Sequence, residues 1–517
     1  MRLKALIYMA IVAVTVLIRL YPALVTGMPF SIDAWPLLYD AEMIERYTPI
    51  PLEDAMLDRY NSFWPGSIFT SLVSAIVLGV DVEGLMAILY PAINGLGTAV
   101  FIYVLGRRAA GEYAAVAASV ISALLYPAFF MGAGVTKEAY TYTLYLATMY
   151  IALYAGRWAD SIPLAILSLG LVFSHHLTTF MAFISLLTIG SIYLVRGRLR
   201  GLVAMSSAAT IFIIAYLHYI GLGHLGLRLP EFIPETLISM GAYLTIFIFL
   251  GYIHPGTRRE GVRLTMNILA LSIVLVALSY LVLVMGLTTG EPILGMRHFT
   301  YSIQYILLGI VAYVATTKVG GSHSGIGIYF WFLGVSWVIV YSLFWGNPFF
   351  QALIYRFIDF LIPPLALLAG ILGGYGGPRA KYVLAACILI VALSSLSMYV
   401  DALYLGDPYL GGSWRNRVGV ANPGIFLSSH IDSGDTILYG DVVVKYIYGS
   451  YYGFDVWVSP KYLEARASGR DGVSIIYRGM VETGLNLGPY NIIGYSDGGL
   501  RMRLNRVYDN NELWMYR

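Results

Sequence analysis

The chain has 517 residues, of which 58% are hydrophobic and 12% are charged, and its mean hydropathy is +0.73. A soluble protein of this length could not bury that much apolar surface, so the composition excludes a soluble globular protein and favours a membrane protein. The net charge of +3, without a dense stripe of Lys and Arg, argues against nucleic-acid binding, and one cysteine, Cys387, excludes an internal disulfide and a thiolate metal site.

The first apolar segment, 4–26, predicts a retained transmembrane helix, because it is longer than the core of a signal peptide and no cleavage site follows it. The next segment, 27–84, is predicted to be a long outer loop. Its apolar run at 65–80 fits either a further span or a helix at the membrane surface. The loop holds the densest group of carboxylates in the chain, namely Asp33, Asp40, Glu42, Glu45, Glu53, Asp54 and Asp58.

Hydropathy predicts a polytopic α-helical membrane protein with about 13 transmembrane helices within residues 1–400. Basic residues between the spans decide the topology, because they gather on the cytoplasmic side. If 65–80 does not cross and the N-terminus is cytoplasmic, all the basic clusters fall inside. The predicted spans after the first are 85–106, 112–131, 138–156, 160–174, 177–195, 201–220, 236–254, 264–287, 299–316, 325–345, 351–373 and 382–400.

The tail, 401–517, is more polar and contains short Tyr-, Val- and Ile-rich runs such as "TILYG" and "VSIIY" between turn signals such as "DSGD". This pattern predicts a small extracytoplasmic C-terminal domain, α/β or β-rich. The last residues, "NRVYDNNELWMYR", predict a terminal hairpin.

With this topology, polar groups from separate segments gather at the outer face of the membrane, which predicts an outward-opening polar cavity. Each also has a simpler explanation. His175 and His176 could cap the following helix, Lys137 and Glu138 could be a charge pair at a helix N-terminus, and Arg356 could pair with Asp359 one turn away. The candidate site residues are Asp33, Lys137, Glu138, His175, His176, Glu291, Arg297, His298 and Arg356.

These residue types suit sugar transfer from a lipid phosphate. Arginine matches the geometry of phosphate, and a carboxylate can take the proton of an incoming nucleophile. Displacement at the anomeric carbon would invert its configuration. The sequence therefore predicts a polyprenyl-phosphate sugar as donor, a glycan, lipid or protein as acceptor, and membrane lipid as a partner.

The layout resembles the GT-C superfamily of membrane glycosyltransferases, which includes oligosaccharyltransferases and protein mannosyltransferases. The resemblance rests on "FSIDAW" in a long first outer loop, on "YNSFWPG" leading into the next helix, and on "TTGE" in a later outer loop. It implies that Asp33 is a catalytic base or a metal ligand. Glu138 matches the family's second-loop acidic motif, although the paired acids common there are replaced by Lys137 and Glu138.

The same resemblance implies a divalent cation, Mg²⁺ or Mn²⁺, with Asp33, Glu138 and Glu291 as its ligands. We predict catalysis by Asp33 and Glu138. The charge and position of the remaining candidates predict substrate binding by Lys137, His175, His176, Arg297, His298 and Arg356.

Two alternatives stay open. One is transfer of a whole glycan to protein, although the Trp-Trp pair of the oligosaccharyltransferase tail is absent from this chain. The other is a non-catalytic transporter or scaffold, for which we see no duplicated pattern of spans.

Overall fold

The computed structural model describes residues 2–47, 59–223, 296–319, 323–344 and 353–404, the tail residues 411, 414–431, 436–458, 472–483, 485–486, 492–493 and 506–516, and the single positions 241, 245 and 285. They belong to two compact units. The first unit is Met1–Arg19, Ala92–Gly132 and Lys137–Ser397; the second is Leu20–Pro91, Ala133–Thr136 and Met398–Arg517. Outside the described residues lie Glu291 and most of the two predicted spans 236–254 and 264–287.

Helices dominate the described part of the chain. Those up to residue 223 are α1 (Arg2–Thr26), α2 (Ala34–Arg46), α3 (Arg59–Ser62), α4 (Gly66–Leu78), α5 (Val82–Ala110), α6 (Glu112–Leu124), α7 (Tyr126–Ala133), α8 (Lys137–Tyr154), a 3₁₀ turn (Trp158–Asp160), α9 (Ser161–Ser174), α10 (His176–Val195) and α11 (Leu199–Gly223). Later come α12 (Met296–Val319), α13 (His323–Phe344), α14 (Ile354–Tyr375) and α15 (Pro378–Leu403).

Among the described residues, 7 helices are long and apolar enough to cross a membrane, or 8 if α6 and α7, which meet at 60°, form one broken span. The protein is therefore a multi-pass membrane protein. The predicted spans 160–174 and 299–316 correspond to shorter apolar helices. The run at 65–80 forms α4, whose 13 residues fall well short of the roughly 20 that a spanning helix needs, in agreement with a helix that does not cross.

The core of the first unit is built by α6, α8, α10, α12, α13 and α14. Small residues allow α6 and α14 to approach closely, as is typical of membrane helices. A β-carbon on Gly370 of α14 would come within 2.6 Å of the Ala114 carbonyl oxygen of α6. Tyr145, Trp331 and Phe360 fill the space between α8, α13 and α14 with edge-to-face ring contacts.

The second unit contains a mixed five-stranded sheet in the order β2-β1-β3-β7-β6. Strand β1 runs parallel to β2 and β3, whereas β7 runs antiparallel to β3 and to β6. The β6–β7 hairpin confirms the hairpin predicted from the terminal residues. The strands are β1 (Ile437–Gly440), β2 (Asp455–Val458), β3 (Gly472–Tyr477), β4 (Leu485–Asn486), β5 (Ile492–Ile493), β6 (Arg506–Asp509) and β7 (Leu513–Tyr516).

Short helices surround these strands: α16 (Val418–Ala421), α17 (Pro423–His430), α18 (Val442–Val444), a π-helix (Lys445–Tyr451) and α19 (Arg478–Thr483). The unit also includes α2, which packs on the π-helix. Tyr451 donates a hydrogen bond to Glu42 at 2.7 Å, and its ring meets Trp35 edge-on. The segment that contains α2 and the tail therefore pack against each other within this unit.

Candidate active site

The first unit holds a group of buried and partly buried charged side chains at the beginnings of α8 and α14. Glu138, in the first turn of α8, is 2% exposed, and its Oε2 lies 3.4 Å from Nη1 of Arg356 in α14. Arg356 also donates to the hydroxyl of Tyr355 at 3.0 Å. Lys137 is buried as well. Two of the predicted site residues, 218 positions apart, therefore form an ion pair.

Asp359 lies one turn further along α14. It is buried, and its carboxylate interacts electrostatically with Glu138 and with Arg19 of α1. Among the residues that the structure describes, its Oδ1 is buried without a hydrogen-bond partner. Burying an ionisable group in a membrane helix is costly, and such groups generally serve function.

Arg19 was not predicted as a site residue. It is fully buried, donates from Nε to Asn94 at 2.8 Å and from its terminal nitrogens to the carbonyls of Thr15 and Ala128. A sequence signal for it existed, because Arg19 is a charged residue inside an otherwise apolar span.

His175 and His176 connect α9 to α10 and are both buried. His175 is the N-cap of α10: its Nδ1 accepts from the Thr178 amide at 3.4 Å and lies 2.8 Å from the Thr178 hydroxyl. The simpler explanation, a helix cap, is therefore confirmed for His175. Burial, together with the neighbouring charges of His176 and Arg356, holds the pKa of His175 well below its ordinary value, so its ring is neutral.

Asp33 belongs to the second unit. It stands at the N-cap position of α2, but its carboxylate makes no capping hydrogen bond. The residue two positions before it, Ser31, has a φ of 91°, a strained value for a residue other than glycine. Strained residues persist where the surroundings fix them and are common at functional sites.

The turn before Asp33 is held by the C-terminal part of the second unit. The Asn416 amide nitrogen donates to the carbonyls of Pro29 at 2.6 Å and Ser31 at 2.9 Å, and its Oδ1 accepts from the Trp35 indole. The Ser31 amide donates to the Trp414 carbonyl. The tail therefore fixes the backbone from which Asp33 projects.

Two further predicted residues are placed only by the helix they belong to. Arg297 and His298 lie in the first turn of α12. No group of three or more His, Cys, Asp or Glu side chains converges as a metal site within the described part of the chain. Arg356 compensates the charge of Glu138. Glu291 lies outside the described residues, so the divalent cation that the resemblance implies stays a prediction.

The sequence matches no protein-family model and finds no significant relative among curated proteins. Solved structures do match. The Archaeoglobus fulgidus oligosaccharyltransferase in complex with Zn and sulfate has a TM-score of 0.52 and 13% identity, and the match covers 94% of this chain and 70% of that one. The archaeal oligosaccharyltransferase AglB from the same organism, in complex with an inhibitory peptide and a dolichol-phosphate, has a TM-score of 0.52 and 12% identity. That match covers 92% of this chain and 69% of the AglB chain.

ArnT from Cupriavidus metallidurans bound to undecaprenyl phosphate has a TM-score of 0.40 and 11% identity, and the match covers 99% of this chain and 97% of that one. At such identities the oligosaccharyltransferase structures establish the fold and not the activity. The chain has the GT-C fold, in its oligosaccharyltransferase-like form.

Proposed function

We propose that the chain is an integral membrane glycosyltransferase that moves a sugar from a polyprenyl-phosphate-linked donor to an acceptor at the outer face, with inversion. The observation that carries the proposal is the ion pair between the buried Glu138 and the partly exposed Arg356, beside the buried Lys137, within a GT-C fold. Cations next to a carboxylate suit a substrate whose leaving group is an anionic phosphate.

In this proposal an acceptor atom, such as a hydroxyl oxygen, attacks the anomeric carbon while the bond from that carbon to the phosphate oxygen breaks. The lipid phosphate leaves with the electron pair and is held by Arg356, with Arg297 as a second cation. Asp33 takes the proton of the acceptor as general base. Glu138 positions Arg356, and His176 with Lys137 lines the acceptor side.

The proposed orientation follows the basic residues between the spans. The N-terminus is cytoplasmic, and both the first outer segment and the tail are extracytoplasmic. Donor lipid then reaches the site from the outer leaflet, and the tail is available to select the acceptor.

A second candidate is transfer of a whole glycan to protein. It is favoured by the two solved structures with TM-scores of 0.52, both archaeal oligosaccharyltransferases, one of them in complex with a peptide and a dolichol-phosphate. The two candidates differ in the size of the transferred group and in the acceptor, not in the chemistry at the phosphate.

The test uses purified protein in detergent with a panel of radiolabelled polyprenyl-phosphate sugars, and separately with lipid-linked oligosaccharide plus peptides. Each reaction is run with and without Mg²⁺ or Mn²⁺, because the family resemblance implies a cation held by Asp33, Glu138 and Glu291. We expect release of label from one monosaccharide donor by wild type and not by Asp33→Asn. Transfer of label only to peptide from the oligosaccharide donor would establish the second candidate. Transport of solute without change to any lipid-linked sugar would contradict both.

A further inference from the structure

Helix α14 contains two prolines, Pro363 and Pro364, which lie four residues after Asp359 and Phe360 respectively. Proline has no amide hydrogen, so Pro363 cannot donate to the carbonyl four residues earlier, which is that of Asp359. Because α14 is apolar enough to span the membrane, water is not readily available to donate to this carbonyl in place of the amide hydrogen. Membrane helices tolerate proline where a neighbouring helix satisfies the freed carbonyl.

Tyr142 of α8 supplies the missing donor. Its hydroxyl donates to the Asp359 backbone carbonyl at 3.0 Å, and both residues are 2% exposed. The Tyr142 ring also packs on Phe360, with centroids 5.8 Å apart. A side chain 217 positions away in the sequence therefore supplies the hydrogen bond that the Asp359 carbonyl lacks because of Pro363.

This bond lies one turn from the Glu138–Arg356 pair on both helices. Glu138 precedes Tyr142 by four residues in α8, and Arg356 precedes Asp359 by three in α14. The Glu138–Arg356 ion pair therefore comes before the Tyr142–Asp359 hydrogen bond along both α8 and α14. The position of Arg356 against Glu138 therefore depends on how α14 is held at Asp359.

We infer that Tyr142 is a positioning residue: its hydroxyl completes α14 at Pro363 and so holds Arg356 where the donor phosphate binds. The inference rests on the proposed function for its effect on the donor. The local claim, that the hydroxyl replaces the amide hydrogen absent from Pro363, stands independently of it.

The test is a double-mutant cycle with Tyr142→Phe and Pro363→Ala. Tyr142→Phe keeps the ring and removes only the hydroxyl, whereas Pro363→Ala gives the Asp359 carbonyl a helical donor. We expect Tyr142→Phe to raise the donor KM about fivefold, the factor that corresponds to roughly 1 kcal/mol for one buried hydrogen bond, with kcat within about twofold, as for lost uniform binding. In the Pro363→Ala background, Tyr142→Phe should raise the donor KM by less than half as much.

Tyr145→Phe is the matched control. Tyr145 is buried in the same helix, its ring also packs on Phe360, and its hydroxyl bonds to Ser185 and Trp331 instead. This variant should lower the melting temperature in detergent without raising the donor KM. Equal KM changes in both Tyr variants would overturn the positioning role.

The melting temperatures of the same variants separate this inference from the proposed function. If wild type turns over no donor, the proposed function fails, and the thermal cycle alone decides the local claim. We expect Tyr142→Phe to lower the melting temperature less in the Pro363→Ala background than in wild type. Equal decreases in the two backgrounds would show that the hydroxyl does not replace the proline's missing hydrogen bond.

Discussion

At the level of single residues, Glu138 is a carboxylate that is 2% exposed and depends on the partly exposed Arg356 for charge compensation. Removing one member of a buried ion pair leaves an uncompensated charge, whereas removing both can be nearly neutral. Comparing the single and double substitutions of this pair therefore separates an effect on stability from an effect on activity.

We predict that Arg356→Gln lowers the free energy of unfolding by about 1–3 kcal/mol, because the Glu138 carboxylate stays buried. Adding Glu138→Gln should restore most of this loss, while glycosyl transfer stays absent in both variants. Thermal unfolding in detergent measures the first effect and product formation the second. Equal instability of the single and double variants would contradict the assigned charge compensation.

His175 gives a prediction about pH. Its pKa is lowered in the folded protein, so the unfolded chain binds the proton first, and stability is lost as pH falls below the unfolded value of about 6.5. At pH 5.5 one such group lowers the free energy of unfolding by on the order of 1 kcal/mol.

The variant His175→Asn keeps an N-cap side chain and removes the titration. Its melting temperature should therefore fall less than that of wild type between pH 7.5 and pH 5.5. Parallel curves for the two proteins would mean that His175 is already protonated, or that it does not contribute to acid sensitivity.

Sequence reasoning found Glu138 and Arg356 because polar groups stand out beside apolar spans. Their pairing was not predictable, since the local spacing favoured Asp359 as the partner of Arg356 and nothing in the sequence connects positions 138 and 356. Arg19 was overlooked because it was treated as part of the first span. The general rule for ionisable groups within spans would have identified it.

At the level of elements, α6 and α14 meet through small residues. We predict that Gly370→Ala lowers the stability by about 1–3 kcal/mol, because its β-carbon would lie 2.6 Å from a backbone oxygen that cannot rotate away. Gly309→Ala in α12 is the matched control, since a β-carbon there has no neighbour within 4 Å. The account is wrong if the two variants melt at the same temperature.

The sheet strands and the terminal hairpin could be predicted, because alternating Tyr, Val and Ile between turn residues is a local signal. The association of the first outer segment with the tail could not. It depends on contacts such as the Trp35 indole with Asn416, 381 positions apart. The role of Tyr142 could not be predicted either. Pro363 indicates that the carbonyl four residues earlier lacks a helical donor, but the sequence does not indicate which side chain donates to it.

At the level of the whole molecule, the proposed topology places residues 27–84 outside and the basic connections inside. In a Cys387→Ser background, we predict that Glu45→Cys in intact cells reacts with a membrane-impermeant maleimide. Arg198→Cys should react only after permeabilisation. Both positions are exposed, so the difference reports sidedness rather than burial. Labelling of both in intact cells, or the reverse pattern, would overturn the orientation.

The most direct test of the central claim compares release of radiolabelled sugar from polyprenyl-phosphate donors by wild type and by the variant carrying both Arg356→Gln and Glu138→Gln. The account predicts that wild type releases the sugar from one donor, and that the double variant melts within a few degrees of wild type but releases none. Undiminished release by the folded double variant would contradict the claim that the buried pair acts at the lipid phosphate.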